Sequence, residues 1–261
     1  MKAKKSLGQH FLASKGALDK IIDAADITPD DIVLEIGPGR GTLTEELLKW
    51  AGKVVAVEKD EQLILYLREK FKEEIKVGKF VLMHGDILTL GIENLKLKTE
   101  NYKLIANIPY YITGAILEKF LAAAHQPARM VLLVQKEVAE RIAREKKGSL
   151  LSTSVKAYGV PRYGATVKRG SFVPPPKVDS AILIIENISK NNFADKKEEE
   201  KFFSILKAGF AHKRKLLSGN LAALYGKERV AETFKSCDID GKARAEELSV
   251  DTWKCLARIL P

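Results

Sequence analysis

The 261-residue chain is short of the features that mark secreted, membrane-spanning or metal-dependent proteins. It has two cysteines, Cys237 and Cys255. Two thiols cannot build the disulfide framework of a secreted domain, and no CxxC spacing offers a zinc site. The histidines, His10, His84, His125 and His212, are scattered without ligand spacing, so no metal is expected. No stretch approaches the roughly 18 apolar residues of a membrane span, and Lys2, Lys4 and Lys5 are followed by no signal-peptide core. Internal repeats and low-complexity tracts are missing too. These absences lead us to expect a monomer in a reducing cytoplasm, with no membrane partner.

What is present is ample apolar sequence and an excess of positive charge. Hydrophobic residues make up 46% of the chain, enough for a large domain and a smaller one. Lysine and arginine number 44 against 34 acidic residues, a net charge of +10. Such an excess favours a polyanionic partner, and nucleic acid is the first class to consider.

Hydrophobic periodicity divides the chain. Leu18, Ile21, Ile22 and Ala25 fall at helical spacing. Short β-rich runs then alternate with helical stretches: 32–36, 53–58, 80–83, 104–106 and 130–134 read as strands. Strands apolar on both faces and separated by helix-length segments indicate a parallel sheet covered on both sides, a doubly wound α/β domain. A helix with Val138 and Ile142 follows, then β-like sequence at 163–167, a proline loop at 172–177 and a strand at 180–185. The polar segment 187–197 reads as a linker. Beyond it lie helical stripes: Phe202, Phe203, Leu206 and Phe210; Leu216, Leu217, Leu221 and Leu224; and Trp253, Leu256 and Leu260. The expected division is 1–189 for the α/β domain and 190–261 for a small α-helical domain.

Four sites follow strands at one edge of the expected sheet. Glu35-Ile36-Gly37-Pro38-Gly39-Arg40-Gly41 lies between a strand and a helix. Glycines there let the backbone turn sharply and approach a ligand. The spacing is not the GxGxxG of dinucleotide folds, which argues against a basic oxidoreductase. Glu58, ending the next strand, is placed to accept hydrogen bonds from ribose hydroxyls. Asp86, after the third strand, is placed to accept from an adenine amino group, although a helix cap is an equal reading of that residue alone. Carboxylates suit the sulfonium cation of S-adenosylmethionine better than a pyrophosphate.

The fourth site, Asn107-Ile108-Pro109-Tyr110, is the most specific, and it resembles the (Asn/Asp)-Pro-Pro-(Tyr/Phe) motif of methyltransferases acting on nucleobase amines. The N6 lone pair of adenine is delocalised into the ring. An Asn107 side-chain oxygen and a backbone carbonyl accepting its two N–H bonds would push the nitrogen toward sp3. Pro109 fixes the backbone that aims the carbonyl, and Tyr110 offers a flat face for a base taken from its stack.

Together these motifs resemble the bacterial small-subunit ribosomal RNA adenine N6,N6-dimethyltransferases nearly end to end. Lys5–Leu12 is similar to the opening motif, which in that family reaches over the cofactor, and so brings His10 and Leu12 into the cofactor site with Gly37, Gly39, Glu58, Asp86 and Asn107. The run 172–180 is similar to the family's proline loop, where Phe172 would cover the second face of the target base. Arg244–Ser249 is similar to a motif of the small-subunit branch. The resemblance implies a Rossmann-like class I methyltransferase sheet and S-adenosylmethionine as cofactor. It also implies dimethylation of two adjacent adenosines in a hairpin near the 3′ end of small-subunit ribosomal RNA, on the immature small subunit. The alternatives are a large-subunit dimethylase of the antibiotic-resistance type and an assembly factor acting mainly by binding. Read alone, Lys213-Arg214-Lys215 is a solvated helix face; in an RNA methyltransferase these residues become phosphate contacts, as do Lys146, Lys147, Lys168 and Arg169. The family often carries paired arginines where this chain has Lys213, Arg214 and Lys215, and lysine lacks the bidentate fork.

Overall fold

The five apolar runs form one side of a seven-stranded sheet. The computed structural model describes residues 4, 7–95, 97, 102–212 and 214–261. In chain order the first part runs β1 (Phe11–Leu12), α1 (Lys15–Ala25), β2 (Ile32–Ile36), α2 (Thr42–Trp50), β3 (Lys53–Glu58), α3 (Glu61–Lys70), α4 (Lys72–Lys76), β4 (Phe80–His84), β5 (Tyr102–Asn107), α5 (Thr113–Leu121), β6 (Arg129–Gln135) and α6 (Lys136–Ala143). Then come α7 (Leu150–Tyr158), β7 (Val160–Val167), β8 (Phe172–Val173), β9 (Ser180–Glu186), α8 (Lys196–Gly209), α9 (Leu217–Tyr225), α10 (Lys227–Ser236) and α11 (Val250–Ile259). Two units result, Met1–Ala139 with Val160–Ile188, and Glu140–Gly159 with Ser189–Pro261.

The sheet order in the first unit is β4-β3-β2-β5-β6-β9-β7. The first five strands are parallel, and β9 runs antiparallel to both of its neighbours, β6 and β7. Alternation along a strand explains the two covered faces. Val33, Val54 and Ala56 join Leu18, Ile21, Leu43 and Leu47 in one cluster, while Leu34 and Val55, equally buried, point the other way. The chain leaves β2 toward β3 on one side and later returns as β5 on the other. The carboxyl ends of β2 and β5 therefore flank a topological switch point, where a crevice is left open.

The second unit is helical. Ser149, Asp195 and Ser249 cap α7, α8 and α11 by accepting backbone N–H bonds, each satisfying a donor left free by the first turn. Trp253 is fully buried, and Gly209 makes room for it: a methyl there would lie 2.3 Å from its ring.

Here the structure departs from the sequence reading in several ways. Residues 140–159 pack with the helical unit, because Tyr158 stacks on Phe203 and donates a hydrogen bond to Glu199. The expected linker is packed, with Phe193 buried against Phe202 and Lys190 paired to Glu199. The stripe at α9 is half a stripe, since Leu217 and Leu221 are buried whereas Leu216 and Leu224 are exposed. Arg214 and Lys215 lie in a turn ahead of α9 rather than on a helix face; Lys213 lies outside the described residues. The two cysteines join as one cross-link between the end of α10 and α11. Among the described residues no helix is long and apolar enough to cross a membrane.

Candidate active site

A cavity in the first unit opens at the switch point, lined by residues from 7–12, the glycine loop, Glu58 and Lys59, Gly85–Leu88 and 107–112. Gly37, Gly39 and Gly41 all have positive φ, a conformation that side chains with a Cβ rarely adopt. At Gly41 space is also lacking, since a methyl would lie 2.5 Å from the Phe71 ring.

The loop's amides already have protein acceptors. Gly37 N–H donates to the Val57 carbonyl, Gly41 N–H to Pro38, and Gly39 N–H to Glu58 Oε2 at 3.1 Å. A pyrophosphate would find few donors left. Glu58 Oε1 accepts from the backbone N–H groups of Lys59 and Asp60, both at 2.9 Å. Three bonds occupy most of a carboxylate's roughly four acceptor positions, leaving about one for a ribose hydroxyl where two were expected. Burial pushes the Glu58 carboxyl above its ordinary range, and the backbone N–H bonds oppose that.

Sequence reasoning missed Glu35 as a charge. It lies at the base of the cavity, 1% exposed, and accepts a 2.6 Å hydrogen bond from the Thr44 hydroxyl. Burial drives its pKa from 4.5 up to about 8, against the Thr44 bond, and nearby Glu58 adds to the rise. Asp86 lies at the other side of the lining, bonded to the Lys59 ammonium at 2.8 Å and to Leu88 N–H. Lys59 is the first cause that holds its carboxyl below the ordinary range. Two carboxylates, Glu58 and Asp86, with the buried acid Glu35 and a loop with few free amides, fit a cationic nucleoside better than a dinucleotide.

The N-terminal segment is fastened across this cavity. β1 pairs antiparallel with β8, Phe11 opposite Val173 and Leu12 opposite Phe172. His10 Nδ1 meets the Pro174 carbonyl at 2.8 Å, and the His10 carbonyl accepts from Asn107 Nδ2 at 3.0 Å. A carbonyl only accepts, so this bond settles which end of the amide faces the segment. Asn107 Oδ1 is left as an acceptor in the cavity lining. Asp60, a residue the sequence reading passed over, holds the segment from the far side through Lys4 at 2.7 Å and Gln9 at 3.2 Å. Burial would raise the Asp60 carboxyl, but the Lys4 and Gln9 bonds outweigh it and hold the pKa low. Lys5 and Ser6 of the opening motif lie outside the described residues.

Tyr110 is half-buried, its hydroxyl 2.7 Å from Ser180 Oγ and its ring 6.4 Å from the nearly parallel His10 ring. Phe172 does not join them. Its ring is 2% exposed, packs with Leu12 and Val167 in the core and does not line the cavity. The expected second face for the base is absent there, because strand alternation turns Phe172 inward and leaves Val173 outside.

Comparison with known proteins gives the family. A family model described as ribosomal RNA adenine dimethylase matches residues 1–260. The chain belongs to that family. A ribosomal RNA small subunit methyltransferase A from Dehalococcoides mccartyi is 47% identical over 98% of this chain and 88% of its own length. One from Clostridium botulinum is 37% identical over 96% and 91%. Among solved structures, a dimethyladenosine transferase from Plasmodium falciparum aligns at TM-score 0.81 and 28% identity, covering 96% of its chain and 95% of this one. The 23S ribosomal RNA methyltransferase ErmE aligns at 0.75 and 27%, covering 99% and 96%. This ribosomal RNA adenine dimethylase is an α/β methyltransferase with S-adenosylmethionine as its methyl donor.

The basic residues expected to meet RNA fall in different settings. In the second unit Arg214, Lys215 and Lys146 are exposed, while Lys147 is tied to Glu246 at 2.7 Å. In the first unit Lys168 is paired with Asp179 at 3.0 Å, and Arg169 N–H donates to the same carboxylate. Glu246 also accepts the Gly148 N–H at its backbone carbonyl, so Arg244–Ser249 braces the 146–148 loop within its unit.

Proposed function

We propose that this protein dimethylates N6 of two adjacent adenosines in a hairpin near the 3′ end of small-subunit ribosomal RNA. It does so in the cytoplasm, as a monomer, on the immature small subunit. The observation that carries the reading is the anchored Asn107 amide. Its nitrogen is held by the His10 carbonyl, so its oxygen is presented as an acceptor in a cavity with the character of a cationic-nucleoside site. The small-subunit choice is supported by relatives of that name at 47% identity over nearly the whole chain, against 27% for ErmE.

S-adenosylmethionine, when bound, supplies an electrophilic methyl group on a sulfonium. Glu58, Asp86, Gly37 and Gly39 would hold it, with Leu12 and His10 of the N-terminal segment closing over it. Asn107 Oδ1 accepts an N6–H bond of the target and concentrates its lone pair, with Pro109 fixing the turn that follows. Tyr110 gives the base one face to rest on, its tilt set by Ser180. No side chain needs to act as a strong base, because the methylated ammonium is acidic enough to lose its proton to water. Arg214, Lys215, Lys146 and Lys147 contribute phosphate contacts, Lys147 by exchanging its carboxylate partner.

The experiment is methyl transfer to small subunits from cells lacking the modification, with mass spectrometry of the RNA. Two adjacent N6,N6-dimethyladenosines are expected. Methylation confined to large-subunit RNA would overturn the reading.

A further inference from the structure

The cavity accounts for Tyr110 but not for its neighbour. Tyr111 is 69% exposed, yet it belongs to the cavity lining. Both tyrosines belong to one 3₁₀ turn, Tyr110–Ile112, where consecutive side chains point about 120° apart. One ring is therefore held inward on Ser180 and the next is turned out at the mouth. Tyr111 is not loose: a methyl on Gly8 would lie 3.2 Å from its Cε1, so the ring rests on the N-terminal segment by one edge. Lys59 belongs to the same lining, its side chain 57% exposed and bonded to Asp86; an ammonium has three donors and that bond occupies one.

A ligand that covers an exposed ring gains free energy from the apolar area it removes from water. The cofactor is a poor candidate, because the residues proposed to hold it are buried, as Leu12 and Glu58 are, or half-buried, as His10, Gly37, Gly39 and Asp86 are, whereas most of Tyr111 faces solvent. A nucleic acid supplies a better cover. When a base leaves its stack to enter a cavity, the neighbouring base is deprived of a stacking partner, and a flat aromatic face replaces it without regard to sequence.

We propose that Tyr111 is the stacking platform for the nucleotide adjoining the adenosine in the cavity, with Lys59 of the same lining for the connecting phosphate. The inference rests on the RNA substrate proposed above. It gives two adjacent adenosines complementary places, one held on Tyr110 and the other on Tyr111, and exchanging them lets one enzyme treat both.

The test compares wild type with Tyr111→Phe, Tyr111→Leu and Tyr111→Ala. Each is measured for kcat/KM on unmethylated small subunits, for S-adenosylmethionine affinity by calorimetry, and for Tm. Tyr111→Phe keeps the flat face and should stay within about threefold of wild type. Tyr111→Leu and Tyr111→Ala should each fall about tenfold or more in kcat/KM, mainly through KM, with cofactor affinity and Tm level. Wild-type activity in Tyr111→Leu would overturn the proposal, because apolar bulk would then suffice. So would a fall in cofactor affinity matching the fall in kcat/KM, which would assign the ring to the cofactor. If wild type itself leaves the subunits unmethylated, the reading of the substrate fails, and this inference with it.

Discussion

Replacing Glu35 with glutamine should change how stability depends on pH. The carboxyl is buried at the base of the cavity with the Thr44 hydroxyl as its partner. Burial, opposed by that bond and helped by Glu58, moves its pKa from 4.5 to about 8. In the unfolded chain the same group titrates at its ordinary value. Between these limits the folded protein holds a proton that the unfolded chain releases, so the unfolding free energy falls as pH rises, by about 1.4 kcal/mol per pH unit. The contribution is complete below the ordinary value and is lost as pH passes through about 8, a total of about 5 kcal/mol. Glutamine keeps the shape, still accepts from Thr44 and cannot ionise. Urea unfolding followed by circular dichroism from about pH 5 to about pH 8.5 should show wild type losing stability along this slope and the variant losing much less. Near the acid end the two should agree. A cationic cofactor favours the ionised carboxyl, so wild-type cofactor affinity should also rise with pH over this window, and the rise should be smaller in Glu35→Gln, where Glu58 alone is left with a raised carboxyl. Stability curves that run parallel would refute the burial argument.

Four further predictions rest on single interactions. Asn107→Ala should cut methyl transfer by about 10²–10³, and near-wild-type turnover at saturating cofactor would remove Oδ1 from the chemistry. Glu58→Ala should weaken cofactor binding by about 1.5–3 kcal/mol and lower Tm as well, since three backbone N–H groups are left without their acceptor; calorimetry and a thermal melt read both. Phe172→Ala should cost about 3–5 kcal/mol of stability, with activity per folded molecule retained; a stable but inactive variant would return Phe172 to the substrate. Arg214→Gln with Lys215→Gln should lower the salt slope of RNA binding by about one unit for each phosphate no longer neutralised and leave cofactor affinity alone, whereas an unchanged slope would make the turn a solvated surface.

The central sheet was legible because parallel strands buried on both faces are written as apolar runs, as in 54–57 and 130–134. That Gly37, Glu58, Asp86 and Asn107 line one cavity was legible because each ends or follows a strand, and strand ends meet at a switch point. Phe172 was misread because its direction depends on pairing with Leu12, a two-residue ladder with no periodicity of its own. Arg214 and Lys215 were misread as helical because the spacing of Leu216 extends a stripe that begins only at Leu217. Glu35 and Asp60 escaped notice for a different reason. Their importance comes from Thr44, Lys4 and Gln9, partners that reach them only once the chain is folded. Tyr111 carried a signal in the tandem tyrosines, but which ring turns outward is decided by the bond from Tyr110 to Ser180.

The pairing of β1 with β8 also sets an order of events during synthesis. His10 and its partner Pro174 are 164 residues apart in the chain. Residues up to Leu12 leave the ribosome long before Phe172–Pro174, and until those emerge the segment has no ladder to join. The acceptor for Asn107 Nδ2 is a carbonyl of that waiting segment, so the amide gains its fixed orientation only after β8 is in place. Such long-range closure is a slow step in folding. A nascent chain can therefore complete β2 to β6 before the Asn107 amide has its partner, which is held in place only once Phe11 and Leu12 pair with Val173 and Phe172.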